Sequence, residues 1–552
     1  MGKKGIMLLT ALATLVMSQF SCPAQTPLSE RVYLATDQDV YVSGDELFVS
    51  AFCLDMATGK FSPHSKVAYV EIYAEDGPVQ TAKLALKGGR GGGVIRLHNT
   101  IPTGNYGIVA YTAQCFNETG YDFREGSKVL SIINPFTTER SKSGVEILPE
   151  EDYAALTAPA RPDAGSLQVS AGGGVLTVTN PTEVAVSASI AIHLEDGIVS
   201  PSGATPAGFL AGATRGQAFR QVRETDYEGE VIRAQVHGFE GSLDMTGSTV
   251  SFSVPGRTSD FYQARVREDG TAHFYTRNIY GQADAVLEVD SGRGAGYAEI
   301  IQPFAGVRAS GLPVLPLSSS LAEQIRGRSI AMQVRQASHA DSLYVSLAGI
   351  DRHFARDSIV YRLDDYTRFP VMEELFIEFI TPLRTRRHNG RRELVVSVED
   401  TFKPATEALM PAMVLLDGVP VVDHERIFAY DPLLVEKVVI YPHTFNLGIR
   451  MYSGVVDFVT YKHDLAAFQF DANARIVSFQ GVSEPVAAYL PDTLHGVPDL
   501  RRTAFWHPLV EIGPGETLTF EYYPPACEGD FVAVVEGFDA TGAPQYLRRP
   551  VR

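Results

Sequence analysis

The residues that most often carry enzyme chemistry are few in this sequence and lie far apart. Its four cysteines, and four histidines spread through its C-terminal half, lack metal-ligand spacing: Cys22, Cys53, Cys115, Cys527, His424, His443, His463 and His507. No Gly-x-Ser-x-Gly elbow, His-Glu-x-x-His helix or Cys-x-x-Cys pair is present. The sequence therefore predicts a protein that is not an enzyme and has no catalytic residue, cofactor or metal site.

One cluster of side chains has the charge to bind another molecule. It is basic and surrounds Asn389-Gly390, and it comprises Arg384, Arg386, Arg387, His388, Arg391 and Arg392. An Asn-Gly pair between two short runs is typical of a two-residue β-hairpin, whose tip would then simply be charged. The alternative is a docking site for an acidic partner or a lipid headgroup, with Arg384, Arg386 and Arg387 as contact residues.

The rest of the chain is acidic. Lys and Arg number 47 against 65 Asp and Glu, so the formal net charge is −18. This balance argues against nucleic acid as a partner, because phosphate binding needs concentrated Lys and Arg. The carboxylates near the N-terminus, Asp37, Asp39, Asp45 and Glu46, lack the ligand spacing of a calcium loop and are interpreted as turn and cap residues.

The first 24 residues have the layout of a secretory signal peptide. Lys3 and Lys4 precede an apolar run over 6–16, which is too short for a stable membrane span. Cleavage after Ala24 is one expectation. The other is that Cys22 is lipidated, which would be the only route to a membrane. We expect an exported protein of the periplasm, outer membrane or cell surface.

Two cysteines of the first β-rich region fit two interpretations. Cys53 and Cys115 both lie in strand-like runs and would either meet in a disulfide across that region or be buried separately as small apolar side chains.

The segment 413–460 has a recognisable order of elements. An apolar run, Met413–Leu416, meets an Asp417-Gly418 turn signal and a short apolar return, and further apolar runs follow at 435–440 and 452–460. This order resembles the plug domain of TonB-dependent outer-membrane transporters. Residues 465–552 read as one sandwich, so no barrel is expected to follow. The edge at Asp417 and Gly418 is then predicted to contact a partner.

Two helices are predicted. Between Pro370 and Pro382, apolar residues at 372, 375, 376, 379 and 380 form one stripe, and acidic residues occupy the first turn. A second helix is predicted within 317–337.

Most other segments are short β-runs separated by turn residues. A Ser43-Gly44-Asp45 turn between two such runs predicts a hairpin. Residues 31–136 contain Thr36-Asp37, Tyr41, Gly44-Asp45 and a later Thr103-Gly104-Asn105-Tyr106, and they resemble the MG2 domain of α2-macroglobulins. No Cys-Gly-Glu-Gln thioester is present, so this resemblance implies a fold and not covalent protease trapping.

The C-terminal residues add a further resemblance. Trp506, the only tryptophan, precedes His507-Pro508, and an aromatic strand at 517–523 and a Val-rich strand at 531–538 follow. This pattern resembles the closing sandwich of secreted Bacteroidetes proteins that combine an MG2-like domain with a plug-like domain. Trp506 is interpreted as a core residue, with a carbohydrate-stacking platform as the alternative.

The predicted fold is mainly β, with several consecutive Ig- or macroglobulin-like sandwiches and one α/β plug-like domain. The predicted segments are 1–24 signal peptide, 25–136 MG2-like sandwich, 137–165 linker, 166–225 β-domain, 226–310 regulatory-like sandwich, 311–365 connector, 366–464 plug-like domain and 465–552 C-terminal sandwich.

The predicted function is a non-catalytic envelope protein acting as a binding or assembly module. Its partner would be an envelope protein, with an outer-membrane receptor complex as one candidate. The alternatives are a macroglobulin-like protease binder without a thioester, whose bait would lie in 137–165, and a surface carbohydrate-binding protein.

Overall fold

The computed structural model describes residues 28–239, 244–255, 260–277, 279–290, 296–337, 357–397, 410–447, 450–484, 486, 488, 499–527 and 529–552. The predicted signal peptide and Cys22 lie outside these residues. The prediction of a mainly β fold with several sandwiches and one α/β unit is confirmed. Within the described ranges, no helix is both long and apolar enough to cross a membrane.

The first sandwich contains eight strands between residues 30 and 133. They are β1 (Glu30–Thr36), β2 (Val40–Val42), β3 (Glu46–Asp55), β4 (Val67–Ala74), β5 (Gly77–Ala85), β6 (Arg90–Arg96), β7 (Gly104–Tyr111) and β8 (Lys128–Ile133). Two sheets, in the orders β1-β3-β6 and β2-β8-β7-β4-β5, enclose a core that includes Leu47, Val70 and Ile108. The alternating apolar residues of each strand supply this core.

The Ser43-Gly44-Asp45 turn forms, but the predicted hairpin is wrong. Gly44 has a φ of +94°, and the Asp45 N–H donates to the Val42 carbonyl at 3.0 Å. The strands on either side belong to different sheets, because β2 pairs with β8 while β3 pairs with β1 and β6. The turn therefore carries the chain across the sandwich.

The chain continues with short strands and helices up to residue 337. They are β9 (Val145–Leu148), α1 (Glu150–Ala154), β10 (Gln168–Gly172), β11 (Val175–Thr179), β12 (Val186–Glu195), α2 (Pro206–Gly212), β13 (Val231–Gly238), β14 (Thr249–Val254), β15 (Asp260–Arg265), β16 (Thr271–Tyr275), β17 (Gln282–Asp290), β18 (Gly296–Ile300), β19 (Leu315–Ser318) and α3 (Ala322–Ala337). The helix α3 confirms the one predicted within 317–337.

The remaining described elements run to the C-terminus. They are β20 (Ile359–Arg362), α4 (Met372–Glu378), β21 (Leu383–His388), β22 (Arg391–Val396), β23 (Met413–Leu416), β24 (Val419–Pro420), α5 (Glu425–Phe428), β25 (Val435–Tyr441), β26 (Phe445–Leu447), β27 (Arg450–Tyr452), β28 (Val455–Thr460), β29 (Ala474–Gln480), β30 (Thr503–Ile512), β31 (Thr517–Glu521), β32 (Asp530–Asp539) and β33 (Pro544–Pro550).

The predicted separation of 166–225 from 465–552 is wrong. Strands from both segments form one domain, the closing sandwich, with sheets β10-β11-β31 and β30-β12-β32-β33. β12 lies between two strands from the end of the chain, and Ile190 stands opposite His507 in β30 and Val535 in β32. The two segments cannot be separate domains, because each supplies strands that the other needs.

The middle sandwich also draws on distant parts of the chain. Its sheets are β16-β13-β18 and β15-β14-β17-β29, so β29, predicted to belong to the C-terminal sandwich, completes a sheet whose other members lie between 249 and 290. Its core includes Phe252, Phe274 and Phe479.

The predicted linker 137–165 contains regular structure. β9 pairs in parallel with β19. The Tyr153 side chain of α1 is buried in a cluster that includes Leu315 of β19 and Met332 of α3. This part of the chain therefore packs on other elements instead of spanning a gap.

The α/β domain follows the predicted order of strand, turn, return and strands, with the helix α5 between the return and the next strand. Its sheet has the order β20-β25-β28-β23-β24, with β23 parallel to β28. Asp417 and Gly418 both have positive φ values, 48° and 80°, as a two-residue hairpin turn requires. The stripe on α4 is buried in the core of this domain through Met372, Leu375 and Phe376.

Trp506 joins the closing sandwich to the first sandwich. Its ring is 1% exposed and lies 4.9 Å from that of Phe48 in β3, between centroids. The interpretation of Trp506 as a core residue is confirmed, and its burial rules out a role as a carbohydrate platform.

Replacing Phe48 with Ala should weaken this joint. Loss of a buried ring against Trp506 is expected to cost about 3–5 kcal/mol of stability. Urea unfolding followed by the emission of the single tryptophan measures the effect. Phe136→Ala is the control, because Phe136 is 55% exposed, and its midpoint should stay at the wild-type value. Equal midpoints for all three proteins would contradict the role of this contact.

Candidate functional site

The predicted arginine-rich hairpin is formed by β21 and β22. Asn389 and Gly390 at its tip have φ values of 51° and 81°, the left-handed pair that a two-residue turn of this type requires. Arg386 stands opposite Glu393, and His388 opposite Arg391. The hairpin prediction is therefore confirmed, and the register places the charged residues on defined faces.

The outward N–H groups of β22 and its Leu394 carbonyl are hydrogen-bonded to other parts of the α/β domain. The backbone N–H groups of Arg392, Leu394 and Val396 donate to Glu425 Oε1 at 2.6 Å, His424 Nδ1 at 2.9 Å and Ser453 Oγ at 3.1 Å. The Leu394 carbonyl accepts from the Ala412 N–H at 2.7 Å. No further strand can add to this edge.

The outer edge of β21 is different. In an antiparallel pair, the backbone groups of successive residues point alternately toward the partner strand and away from it. Since the N–H groups of residues 392, 394 and 396 point away from β21, the backbone groups of residues 391, 393 and 395 point toward it. Their partners are His388, Arg386 and Arg384, so Thr385 and Arg387 direct their backbone groups away from β22. Both residues are exposed, and no strand pairs with this edge within the described part of the chain.

The solvent face of the hairpin is basic. Arg384, Arg386, His388 and Arg391 share this face with one carboxylate, Glu393, which pairs with Arg386 at 2.8 Å. Arg391 is 72% exposed and lies 3.6 Å from Asp423. In the residues that the structure describes, Arg384 and Arg387 form no ion pair, so their charges face solvent.

The opposite face anchors the hairpin. Leu383, Leu394 and Val396 are buried in the core of the α/β domain. Arg392 lies 4.3 Å above the Phe428 ring and pairs with Glu425 at 2.7 Å and Glu373 at 3.1 Å. The hydrogen bond from Arg392 holds the pKa of Glu425 below its ordinary value. The strands are thus held rigidly while the basic face stays open.

The predicted partner contact at Asp417 and Gly418 is wrong. Asp417 is 2% exposed, and its carboxylate accepts hydrogen bonds from the Thr460 N–H and Oγ1, both at 2.7 Å, and from the Leu465 N–H at 2.8 Å. Gly418 is also buried. Next to this turn, Met413 and Leu415 pack with Phe261 of the middle sandwich, so this part of the sheet is covered by the protein itself.

The two cysteines of the first sandwich are free thiols. Cys53 and Cys115 are both buried, and the Cys115 thiol donates to the Glu30 carbonyl at 3.5 Å. The disulfide alternative is therefore wrong, and the alternative of two buried side chains holds. Burial raises the pKa of both thiols, which keeps them protonated and unreactive.

The early carboxylates serve as structural acceptors. Asp37 accepts from the hydroxyls of Tyr41 at 2.7 Å and Thr503 at 2.6 Å, while Asp39 pairs with Arg161 and Glu46 with Arg96. Asp45 accepts from the Val42 N–H at 3.1 Å. In the described ranges, no group of three metal-ligating side chains is found.

Sequence reasoning did not find the side chains that close the β22 edge. In the sequence, His424 was only one of several histidines without metal-ligand spacing, and no motif indicated a role for Ser453. Their roles depend on the packing of α5 and of the β27–β28 connection against β22, which no local pattern encodes.

The comparisons with known proteins leave the family open. No protein-family model and no curated protein matches the chain. Among solved structures, trypsin-activated alpha-2-macroglobulin from Escherichia coli matches with 9% identity and a TM-score of 0.24, over 95% of this chain and 41% of that chain. Salmonella alpha-2-macroglobulin reacted with methylamine matches with 10% identity and a TM-score of 0.22, over 95% and 39%. The chain thus spans about 40% of the length of these macroglobulins.

His424 makes the hairpin sensitive to acid. Burial lowers the pKa of His424 to about 4, from an unfolded value near 6.5. The stability that this neutral imidazole contributes is complete above about pH 6.5 and is lost as pH falls toward 4. Between pH 7.5 and 4.5 we expect a loss of roughly 2–3 kcal/mol, because the unfolded chain binds a proton on this imidazole that the folded protein excludes.

Hydrogen exchange of peptides covering 391–397 tests this prediction. His424→Gln should remove most of the pH dependence when it is compared with wild type at the same pH. His98→Gln, a distant exposed histidine, should behave as wild type. The prediction fails if wild type and His424→Gln lose protection in parallel on acidification.

Proposed function

We propose that this chain is a non-catalytic, exported binding module of the cell envelope and that it docks an acidic, extended segment of a protein partner along β21. The observation that carries the proposal is the outer edge of β21, with which no described strand pairs, beside the exposed Arg384 and Arg387. No other part of the predicted partner surface is accessible, since Asp417 and Gly418 are buried.

Main-chain pairing would supply the affinity. An added strand would find the free backbone groups of Thr385 and Arg387 and would extend a two-stranded sheet to three strands. The hairpin is already held in place by the occupied β22 edge and by Arg392, so little ordering entropy would be lost on binding.

Charge would supply the selectivity. The chain carries a net charge of −18, so an acidic partner is repelled over most of the surface and attracted at this hairpin. Arg384 and Arg386 lie two residues apart on one face, so acidic side chains at alternate positions of an added strand would meet the basic face. Arg386 is already paired with Glu393, which leaves Arg384 as the main new contact on this face.

The sandwiches would serve as the supporting scaffold. They account for most of the described chain, and Trp506 and its neighbours bind the first and closing sandwiches together. In this proposal the resemblance to plug domains concerns the architecture of the α/β domain, and the hairpin is its docking element.

Charge reversal tests the docking surface. The double variant Arg384→Glu/Arg387→Glu should bind a fluorescein-labelled peptide of alternating Glu and Val at least about tenfold more weakly than wild type, measured by anisotropy at low salt. The matched control is Arg140→Glu/Arg215→Glu, which changes net charge equally at exposed residues elsewhere. Its affinity should stay within about twofold of wild type.

Two further peptides separate main-chain pairing from charge attraction. A version with N-methyl groups at alternate residues on one edge should lose affinity if a strand is added, while its charge is unchanged. A Lys-Val peptide should not bind. Equal binding of the double variant and wild type, or full binding of the N-methylated peptide, would overturn the proposal. Incubation with trypsin and elastase that retained either protease would instead favour the macroglobulin-like alternative.

A further inference from the structure

A cleft of about 920 Å³ lies between the first and middle sandwiches. Its walls come from β5, from the residues after β18, and from the ends of β13 and β29. This volume falls within the range of small-molecule sites, which often form where two domains meet. The cleft is separate from the arginine hairpin, which contributes no residue to its walls.

Two of the three cationic side chains in the cleft already have hydrogen-bond partners within the protein. Lys83 Nζ lies 2.6 Å from Glu230 Oε1 and donates to the Gln480 carbonyl at 2.7 Å. The Arg223 guanidinium donates to the Pro303 carbonyl at 2.6 Å and to the Tyr69 hydroxyl at 2.9 Å. Both side chains are at most 4% exposed, so they form part of the cleft's rigid floor.

Arg233 is the third cation, and it has no such partners. Its guanidinium forms no hydrogen bond or ion pair with the described residues, although it is half-buried beside Arg223. Burial and the positive charge of Arg223 lower the pKa of Arg233. A guanidinium in this setting has lost hydration without gaining a hydrogen-bonded carboxylate among the described residues. The charges of Asp226 and Glu224 act on it only from a distance, and burial and Arg223 outweigh them. An anion bound in the cleft would offset this loss.

Neighbouring groups can complete such a site. His98 follows β6 in the first sandwich, and Gln302 follows β18. Both line the cleft with exposed side chains, and neither side chain makes a hydrogen bond to another described residue. Together with Arg233 they bring free donors from three separate segments to one cavity.

We propose that this cleft binds a small molecule through a carboxylate, phosphate or sulfate group held by the Arg233 guanidinium. The planar fork of an arginine matches two oxygens of such a group, which a lysine ammonium cannot do. His98 and Gln302 would donate to the remaining oxygens or to hydroxyls of the ligand. This inference does not depend on the function proposed for the hairpin.

Titration calorimetry with citrate, inorganic phosphate and inorganic sulfate, each against sodium chloride of equal ionic strength, tests the site and separates the three chemistries. We expect saturable binding of at least one anion. Arg233→Gln should weaken it at least about tenfold, since a charged hydrogen-bond pair is lost. Arg233→Lys should also weaken it, because the charge remains but the fork is absent. Arg265→Gln, an exposed arginine of the same sandwich, should bind as wild type does.

Thermal unfolding without anions is a second measurement. It distinguishes an arginine that binds a ligand from one that stabilises the fold. Because Arg233 has no hydrogen-bonded partner among the described residues and is repelled by Arg223, Arg233→Gln should melt at or above the wild-type temperature, and only wild type should be stabilised by the anion. The inference is overturned if Arg233→Gln binds as tightly as wild type. It is also overturned if that variant melts well below wild type without anion, or if none of the three anions binds above the chloride control.

Discussion

The pairing of β12 on both of its sides governs the architecture of this protein. β12 spans Val186–Glu195, and its two neighbours, β30 and β32, begin at Thr503 and Asp530. The closing sandwich can therefore form only when the end of the chain returns to its first half. A long segment separates β12 from β30 in the chain, and its two ends must come together in the fold. Its described elements include the middle sandwich and the α/β domain. Contacts of this sequence separation carry a large loop-closure cost, which the two extensive strand pairings of β12 must offset.

Buried polar pairs make the joint between the first and closing sandwiches specific. Glu536 of β32 accepts from the Tyr33 hydroxyl at 2.7 Å and from Lys128 Nζ at 3.1 Å, both in the first sandwich. Thr503 of β30 donates to Asp37 at 2.6 Å, and burial raises the pKa of Asp37 to about 6 although this bond opposes it. Each sandwich alone would leave part of these groups without partners. Such pairs add little net stability, but a misplaced joint would leave them unpaired, which costs several kcal/mol.

The two proposed binding features depend on different levels of this architecture. The hairpin is local: its turn, register and basic residues lie within residues 383–396, and one domain supports it. The cleft is not local, because Arg233, His98 and Gln302 reach it from two sandwiches. β29, which also lines the cleft, pairs with β17 and comes from a part of the chain far from the other strands of the middle sandwich. Within the described residues, this acidic protein thus has arginines without a paired carboxylate at two places, one on an exposed strand edge and one in a cleft.

The sequence by itself determined the short-range features of this protein. The Asn389-Gly390 and Asp417-Gly418 turns, the apolar stripe of α4 and the mainly β character follow from residue types a few positions apart, because turn geometry and side-chain periodicity are local. Only the tertiary structure decided that Ser43-Gly44-Asp45 joins two sheets, that Asp417 is buried, and that β12 pairs with β30 and β32. Alternation along a strand specifies which face is buried but not which strand lies beside it. The packing of whole domains settles which strands pair. Among the described residues, it also leaves the outer edge of β21 without a paired strand and Arg233 without a hydrogen-bonded carboxylate.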